Sequence, residues 1–164
     1  PLTDLLADLG FTVDRIFSHA GIFGDGAFND TQGYIAHNER DVVLAYRGSV
    51  GLTDALTDLC AGHVPFQPLK DEDRGNASMC ACFDTTWAAD HLGRAHRGFY
   101  DAFLSSLPDI EEVLIPLLSG PEPKRLILAG HSLGGAIATG ALAYLLKRLH
   151  LAASQHRLLF VTIG

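Results

Sequence analysis

The chain has 164 residues and a formal net charge of −7, with 48% hydrophobic and 19% charged residues. This length suits one domain with a sizeable core, or part of a larger one, and the composition excludes a disordered, collagen-like or low-complexity chain. The acidic balance argues against a nucleic-acid partner and against attraction to anionic membranes, because both need clustered lysine and arginine. No secretory signal opens the chain, which starts at Pro1 and is therefore expected to have processed ends, so the sequence assigns no compartment.

The cysteines predict neither a disulfide framework nor a metal centre. Cys60, Cys80 and Cys82 are odd in number, so they do not pair off and do not indicate a redox compartment. Cys80 and Cys82 with His91 and His96 match no standard zinc spacing, and the chain contains no phosphate-binding loop. We therefore expect no metal and no cofactor.

The first half of the chain predicts a short helix and then a strand pair. Residues 2–9 have a helical pattern, with Thr3 as a candidate N-cap and Gly10 as the stop, whereas the Gly-rich stretch up to Asn29 has no assignable pattern. β-branched and aromatic runs at 32–36 and 42–46 flank a polar turn and are typical of a hairpin or two adjacent strands.

Two segments in the middle of the chain have helical periodicity. Residues 51–59 place apolar side chains three, four and seven positions apart, which predicts an amphipathic helix. A polar, proline-containing loop is expected at 65–77. An apolar stripe then runs through 98–118, where Pro108 and Pro116 predict a kink or two helical pieces.

The last third has a strand–helix–strand pattern. Residues 125–130 form a continuous apolar run, as expected of a strand buried on both faces. Residues 132–149 can hold a long helix, and residues 156–163 form a second apolar strand. This spacing predicts one βαβ unit and hence an at least partly parallel sheet.

A Gly-His-Ser-Leu-Gly motif at 130–134 lies between the predicted strand and helix. In a G-x-S-x-G elbow the turn must be sharp enough to hold the hydroxyl of Ser132 above the sheet, and the small flanking residues prevent clashes. The helix N-terminus would direct the N–H of Leu133 at a developing oxyanion. An incidental serine in a Gly-rich turn is the alternative, but the strand before the motif and the helix after it favour a nucleophile.

The same region also allows a membrane-spanning interpretation. Residues 126–146 contain no Asp, Glu, Lys or Arg over 21 residues, and basic residues flank them. Gly130 and Gly134 form a GxxxG pair of the kind found in helix dimers. Because Gly-His-Ser interrupts the run and the rest of the chain has the pattern of a soluble domain, we expect no transmembrane segment.

Ordered segments from about Asp30 to the last residue resemble a known family. They read DTQGYIA at 30–36, VVLAYRGS at 42–49, HRGFY at 96–100, ILAGHSLGGA at 127–136 and VTIG at 161–164. These segments resemble class 3 (fungal-type) lipases, an α/β-hydrolase family that acts on carboxylic esters, typically triacylglycerols. The resemblance implies an α/β fold with a mostly parallel sheet flanked by helices. Residues 1–164 would form the N-terminal portion of a single such domain, without its C-terminal strands and helices.

The resemblance also implies roles for particular residues. Ser132 would be the nucleophile, and the backbone N–H groups of Ser49 and Leu133 would form the oxyanion hole, with the Ser49 hydroxyl often contributing. The Arg47-Gly48-Ser49 segment would equally suit a strand end followed by a helix N-cap. The helix at 51–59 matches the position of the family's lid, although any fixed surface helix is also amphipathic, and Ala55 stands where family members often carry a tryptophan.

The chain departs from the family after the elbow. A family triad continues with Asp and then His, but only 32 residues follow Ser132 and none of them is Asp or Glu. The later histidines, His150 and His156, are predicted at the end of the sheet opposite the catalytic groups. We therefore expect the general base and its carboxylate outside this chain, little or no activity from residues 1–164 alone, and an exposed apolar sheet edge.

The leading functional hypothesis is hydrolysis of a carboxylic ester, an acyl lipid at a lipid–water interface, through an acyl-enzyme on Ser132. Acyl transfer and peptide hydrolysis use the same kind of elbow and are not excluded by it. From a different functional class, the alternative is a catalytically inactive lipase-like module that binds or regulates a partner.

Overall fold

A five-stranded sheet forms the centre of the computed structural model, which describes residues 1–22, 28–48, 62–66, 93–122, 124–148 and 158–164. The strands of this sheet occur in the spatial order β1-β2-β3-β6-β7, and β4 and β5 form a separate two-stranded sheet. The strands are β1 (Thr12–Ile22), β2 (Phe28–His37), β3 (Asp41–Tyr46), β4 (His63–Pro65), β5 (Arg94–His96), β6 (Arg125–His131) and β7 (Leu158–Ile163). The helices are α1 (Leu2–Asp8), α2 (Arg97–Asp109), α3 (Ile115–Leu118) and α4 (Leu133–Arg148).

Four strands of the central sheet run in the same direction. β2 is antiparallel to both β1 and β3, whereas β3, β6 and β7 are mutually parallel neighbours. The β6–α4–β7 segment is the predicted βαβ unit, and β2 with β3 is the predicted strand pair. The expected mostly parallel α/β architecture is therefore confirmed, and the carboxyl ends of three adjacent strands meet at Tyr46, His131 and Ile163.

Burial along β6 is greater on one face than on the other, whereas β3 is buried on both faces from Asp41 to Leu44. Along β6, Leu126 and Leu128 are fully buried on the face against which α2 and α4 pack, but Ile127 and Ala129 on the other face are only partly buried. The predicted burial of this strand on both faces is thus incomplete, because within the described residues the helices cover mainly one face. At the edge strand β7 four apolar side chains are exposed, namely Leu158, Leu159, Val161 and Ile163.

Two details near the N-terminus differ from the sequence prediction. Helix α1 begins at Leu2 with Pro1 at the N-cap and no side-chain capping bond, so Thr3 is not the cap. The hydroxyl of Thr3 instead contacts the Asp4 carboxylate inside the helix at 3.4 Å. Gly10 does end this segment, with a φ of +80° that a side chain would strain. Within the unassigned stretch that follows, residues 12–22 form the long strand β1.

The predicted kink in 98–118 is a change of helix type. Helix α2 ends at Asp109, a π-helical segment spans Ile110–Leu114, and α3 begins at Ile115. The change lies between Pro108 and Pro116, neither of which can donate an N–H to the helical hydrogen bonds. The sequence predicts a kink or two helical pieces, but it does not predict the π-helical segment between them.

A buried carboxylate at the end of α2 fixes β1 to this helix. The Asp109 side chain is 6% exposed and contacts Arg15 Nη1 at 3.2 Å and His19 Nε2 at 2.6 Å. Arg15 also reaches the exposed Glu112 at 3.0 Å. These polar contacts supplement the apolar packing of β1 on the core.

The start of α4 packs against the sheet through main-chain atoms. A Cβ added to Gly130 would lie 2.2 Å from the carbonyl oxygen of Gly134. A Cβ added to Gly134 would lie 2.5 Å from the carbonyl oxygen of Tyr46 and 2.8 Å from that of Arg47. Only glycine permits these approaches, so the small residues of the motif bring α4 directly onto the ends of β3 and β6.

The Gly134→Ala substitution should therefore destabilise the protein strongly. The added methyl group would meet backbone carbonyls that cannot move aside, and we expect the free energy of unfolding to fall by about 2–4 kcal/mol. The adjacent Gly135→Ala is the matched control, since its Cβ would meet its nearest neighbours at 3.4 and 3.5 Å. Alanine at that helical position should be neutral or stabilising by up to about 1 kcal/mol. Urea unfolding measures both, and equal effects would contradict the packing described.

Candidate active site

Ser132 is the single residue between β6 and α4, and its backbone conformation is strained. Its φ is +51°, and it is the one non-glycine residue with a positive φ among those the structure describes. L-residues adopt this left-handed conformation only where the surrounding structure holds them in it. The strand ends at His131 and the helix begins at Leu133, so the serine stands at the turn itself.

Hydrogen bonds on both sides hold this turn. The N–H of Ser132 donates to the carbonyl oxygen of Ile163 on β7 at 2.7 Å, and the N–H of Gly135 donates to the carbonyl oxygen of Ser132 at 2.9 Å. The first bond ties the turn to the neighbouring parallel strand, and the second starts the helix. The serine is only partly buried, at the carboxyl edge of the parallel strands. This is the position that a nucleophile above the sheet requires.

Leu133 is the first residue of α4, so its N–H has no acceptor four residues earlier within the helix. It lies next to Ser132, at the positive end of the helix dipole. This geometry suits the oxyanion-hole donor that the sequence predicts.

The segment that leads to Ser49 runs against the elbow. A Cβ added to Gly48 would lie 2.7 Å from the carbonyl oxygen of His131 and 2.8 Å from Nδ1 of its ring. The N–H of Arg47 donates to the carbonyl oxygen of Gln32 at 2.9 Å, and the Arg47 guanidinium also donates to the Gln32 side chain. Ser49 itself lies outside the described residues, and the structure places the residue before it, Gly48, against the elbow.

Several other predicted features fall outside the described residues. These are the lid-like helix at 51–59, most of the loop at 65–77, the three cysteines, and His91, His150 and His156. Within the described ranges, no group of three histidine, cysteine or acidic side chains could hold a metal ion.

The remaining alternatives can be compared with the structure directly. Residues 126–146 are divided between β6 and α4, so they do not form the single helix that the membrane-spanning interpretation requires. In the described part of the chain, no helix combines the length and the apolar character needed to cross a bilayer. His96 ends β5, and its ring lies against Phe99 with centroids 4.8 Å apart.

Sequence reasoning missed one polar contact close to this site. The hydroxyl of Tyr46, the last residue of β3, lies 2.8 Å from the hydroxyl oxygen of Ser106 on α2. Burial raises the pKa of the Tyr46 phenol well above its usual range, the bond to Ser106 opposes the rise, and the nearby charge of Asp109 adds to it. The phenol is therefore uncharged. No local pattern pairs two residues that are 60 positions apart.

Comparison with known proteins places the chain among lipases. The family model of class 3 lipases matches residues 43–164. A secreted mono- and diacylglycerol lipase A of Penicillium cyclopium is 30% identical over 120 residues, which cover 71% of this chain and 32% of that protein. A lipase of Rhizopus niveus is 24% identical over 112 residues, which cover 67% of this chain and 23% of the relative. The chain thus spans about a third or less of the curated relatives it matches.

Solved structures show the same fold. The crystal structure of a lipase from Rhizopus microsporus var. chinensis matches with a TM-score of 0.65 at 20% identity, covering 93% of this chain and 44% of its own. A nonglycosylated lipase of Yarrowia lipolytica matches with a TM-score of 0.64 at 23% identity, covering 96% and 47%. At 20–23% sequence identity the solved structures establish the α/β-hydrolase fold, and the family model establishes the family membership. The chain belongs to the class 3 lipase family.

Proposed function

We propose that the protein containing these residues is a serine carboxylic-ester hydrolase that acts on acyl lipids, with Ser132 as its nucleophile. The left-handed backbone of Ser132, between a parallel strand and a helix N-terminus, is the observation that carries the proposal. Membership of the class 3 lipase family supports the reaction class. Because the chain spans only part of the relatives' length, the proposal concerns the whole protein, in which residues 1–164 belong to one hydrolase domain.

The proposed reaction begins with attack of Ser132 Oγ on the ester carbonyl carbon. A general base takes the hydroxyl proton, and negative charge develops on the former carbonyl oxygen. The N–H groups of Leu133 and Ser49 would donate to this oxyanion, and two such preorganised donors can lower the barrier by several kcal/mol. The tetrahedral intermediate then expels the alkoxide, which takes the proton from the base and leaves as the alcohol, so that an acyl-enzyme remains. Water attacks this ester in the same way, which releases the carboxylic acid and regenerates the serine.

The general base is assigned to a histidine oriented by a carboxylate, both outside residues 1–164. The sequence supports this assignment, since no acidic residue follows Ser132 within the chain. An unassisted serine hydroxyl is a weak nucleophile, so residues 1–164 would supply the nucleophile and the oxyanion donors but not the proton transfer.

The substrate is proposed to be an acylglycerol. The name of the Penicillium relatives, mono- and diacylglycerol lipase, supports this class. A lipid–water interface as the site of action belongs to the same proposal. A nucleic acid is not proposed as a partner, since the net charge of −7 would repel phosphates.

The Ser132→Ala variant of the full-length protein tests the proposal. Wild-type protein should hydrolyse a short-chain nitrophenyl ester and should gain the mass of one fluorophosphonate on the peptide that contains Ser132. The variant should take no label there and should lose activity by at least about 10³-fold, because no acyl-enzyme can form. Circular dichroism and thermal melting would verify that it stays folded.

The control is Ser119→Ala, which removes the hydroxyl of an exposed serine after α3. It should keep wild-type activity and labelling. Full activity of Ser132→Ala would refute the proposed nucleophile. A folded full-length wild type that neither turns over ester nor takes label at Ser132 would instead favour a catalytically inactive, lipase-like binding module.

A further inference from the structure

The end of β3 is tied to helix α2 by a buried chain of hydrogen bonds. Tyr46 is 3% exposed and Ser106 is fully buried, and their hydroxyl oxygens are 2.8 Å apart. The Ser106 hydroxyl donates to the carbonyl oxygen of Phe103 at 2.7 Å. Since a serine hydroxyl has one hydrogen, Tyr46 must be the donor to Ser106. The order is therefore Tyr46 O–H to Ser106 Oγ, and Ser106 O–H to the helix backbone.

The main chain of the same tyrosine contacts the elbow. The carbonyl oxygens of Tyr46 and Arg47 lie where a Cβ on Gly134 would be, at 2.5 and 2.8 Å. No side chain separates the strand end from the first turn of α4. A displacement of Tyr46 is therefore transmitted directly to the backbone beside Ser132, and to Gly48, which lies against His131.

Packing alone does not require the Tyr46 hydroxyl. The ring lies edge-on to Phe17, with centroids 5.7 Å apart, and a phenylalanine ring could make the same contact. Burying a hydroxyl among apolar side chains is unfavourable unless it forms a hydrogen bond, and one such bond adds little to stability. The bond adds a positional constraint, because it fixes where along α2 the end of β3 can lie.

We propose that the Tyr46–Ser106 hydrogen bond is a positioning pair for the oxyanion hole. By fixing the end of β3, it sets where the backbone of Arg47 and Gly48 lies against the first turn of α4, and hence how the Leu133 N–H is aimed beside Ser132. This inference rests on the proposed function, since it assumes that an oxyanion forms beside the Leu133 N–H. Donors aimed at developing charge lose much of their effect when misplaced by about 1 Å.

The test uses the full-length protein and three variants, Tyr46→Phe, Ser106→Ala and the double variant. Tyr46→Phe is the cleanest change, because Ser106 keeps its bond to the Phe103 carbonyl. Two quantities are measured, the steady-state hydrolysis of a soluble nitrophenyl ester and the inhibition constant of a trifluoromethyl ketone. The ketone forms a hemiketal oxyanion on the serine and therefore reports on the oxyanion hole directly.

We expect each single variant to lower kcat by about 3- to 10-fold while KM stays within about twofold of wild type. The affinity for the ketone should fall by the same factor as kcat/KM. The double variant should be no slower than the slower single variant, because both substitutions break the same bond.

Tyr144→Phe is the matched control, since it removes the same atom from another buried tyrosine. Tyr144 is 2% exposed in α4, and its ring packs against Phe103 with centroids 5.7 Å apart, eleven residues along the helix from Leu133. It should leave kcat and ketone affinity unchanged, whatever its effect on the melting temperature. A drop in melting temperature at Tyr46→Phe with wild-type kcat and ketone affinity would overturn the inference and leave a structural bond only.

Additive effects of Tyr46→Phe and Ser106→Ala on kcat would also overturn it, because the two residues would then act independently. Failure of the proposed function has a different signature. In that case wild type itself shows no ester hydrolysis and no fluorophosphonate label at Ser132, and the positioning inference fails with it. An active wild type, an inactive Ser132→Ala and an unimpaired Tyr46→Phe would refute the positioning inference alone.

Discussion

The main chains of β3 and α4 touch at Gly134, and most of the site depends on this contact. Because no Cβ separates them, the helix can begin one residue after β6 ends, and Ser132 must turn the chain within a single residue. The resulting φ of +51° is unfavourable for serine, and the bonds to Ile163 and from Gly135 stabilise it. The packing of three parallel strands and a helix thereby compensates a strain energy of about 1–3 kcal/mol at this one residue.

The elbow could be predicted from sequence because all of its signals lie close together along the chain. A motif of five residues between an apolar strand and a helix already requires the sharp turn, and the strand pair β2–β3 follows from its β-branched and aromatic runs around a polar turn. β1 was missed because its eleven residues combine glycine, charged and apolar side chains without a clear period. The Asp109 contacts and the Tyr46–Ser106 bond join residues far apart in sequence. Secondary-structure propensity contains no information about such pairs.

The described residues would provide one side of the proposed hydrolytic site. Three strand ends, a helix N-terminus and the Arg47-Gly48 segment converge on Ser132, and family membership gives this geometry its chemical meaning. The proton-transfer groups are proposed to lie outside these residues. The described part would fix the nucleophile and the Leu133 donor to one rigid framework, to which a histidine would be brought. β7, with its exposed apolar side chains, is the edge of that framework.

A crystal structure of the full-length protein after reaction with a fluorophosphonate would test the central claim most directly. We expect the phosphorus to be bonded to Ser132 Oγ, with φ of Ser132 still positive and the phosphoryl oxygen about 3 Å from the backbone nitrogens of Leu133 and Ser49. An adduct on a different residue, or a phosphoryl oxygen directed away from both nitrogens, would contradict the account.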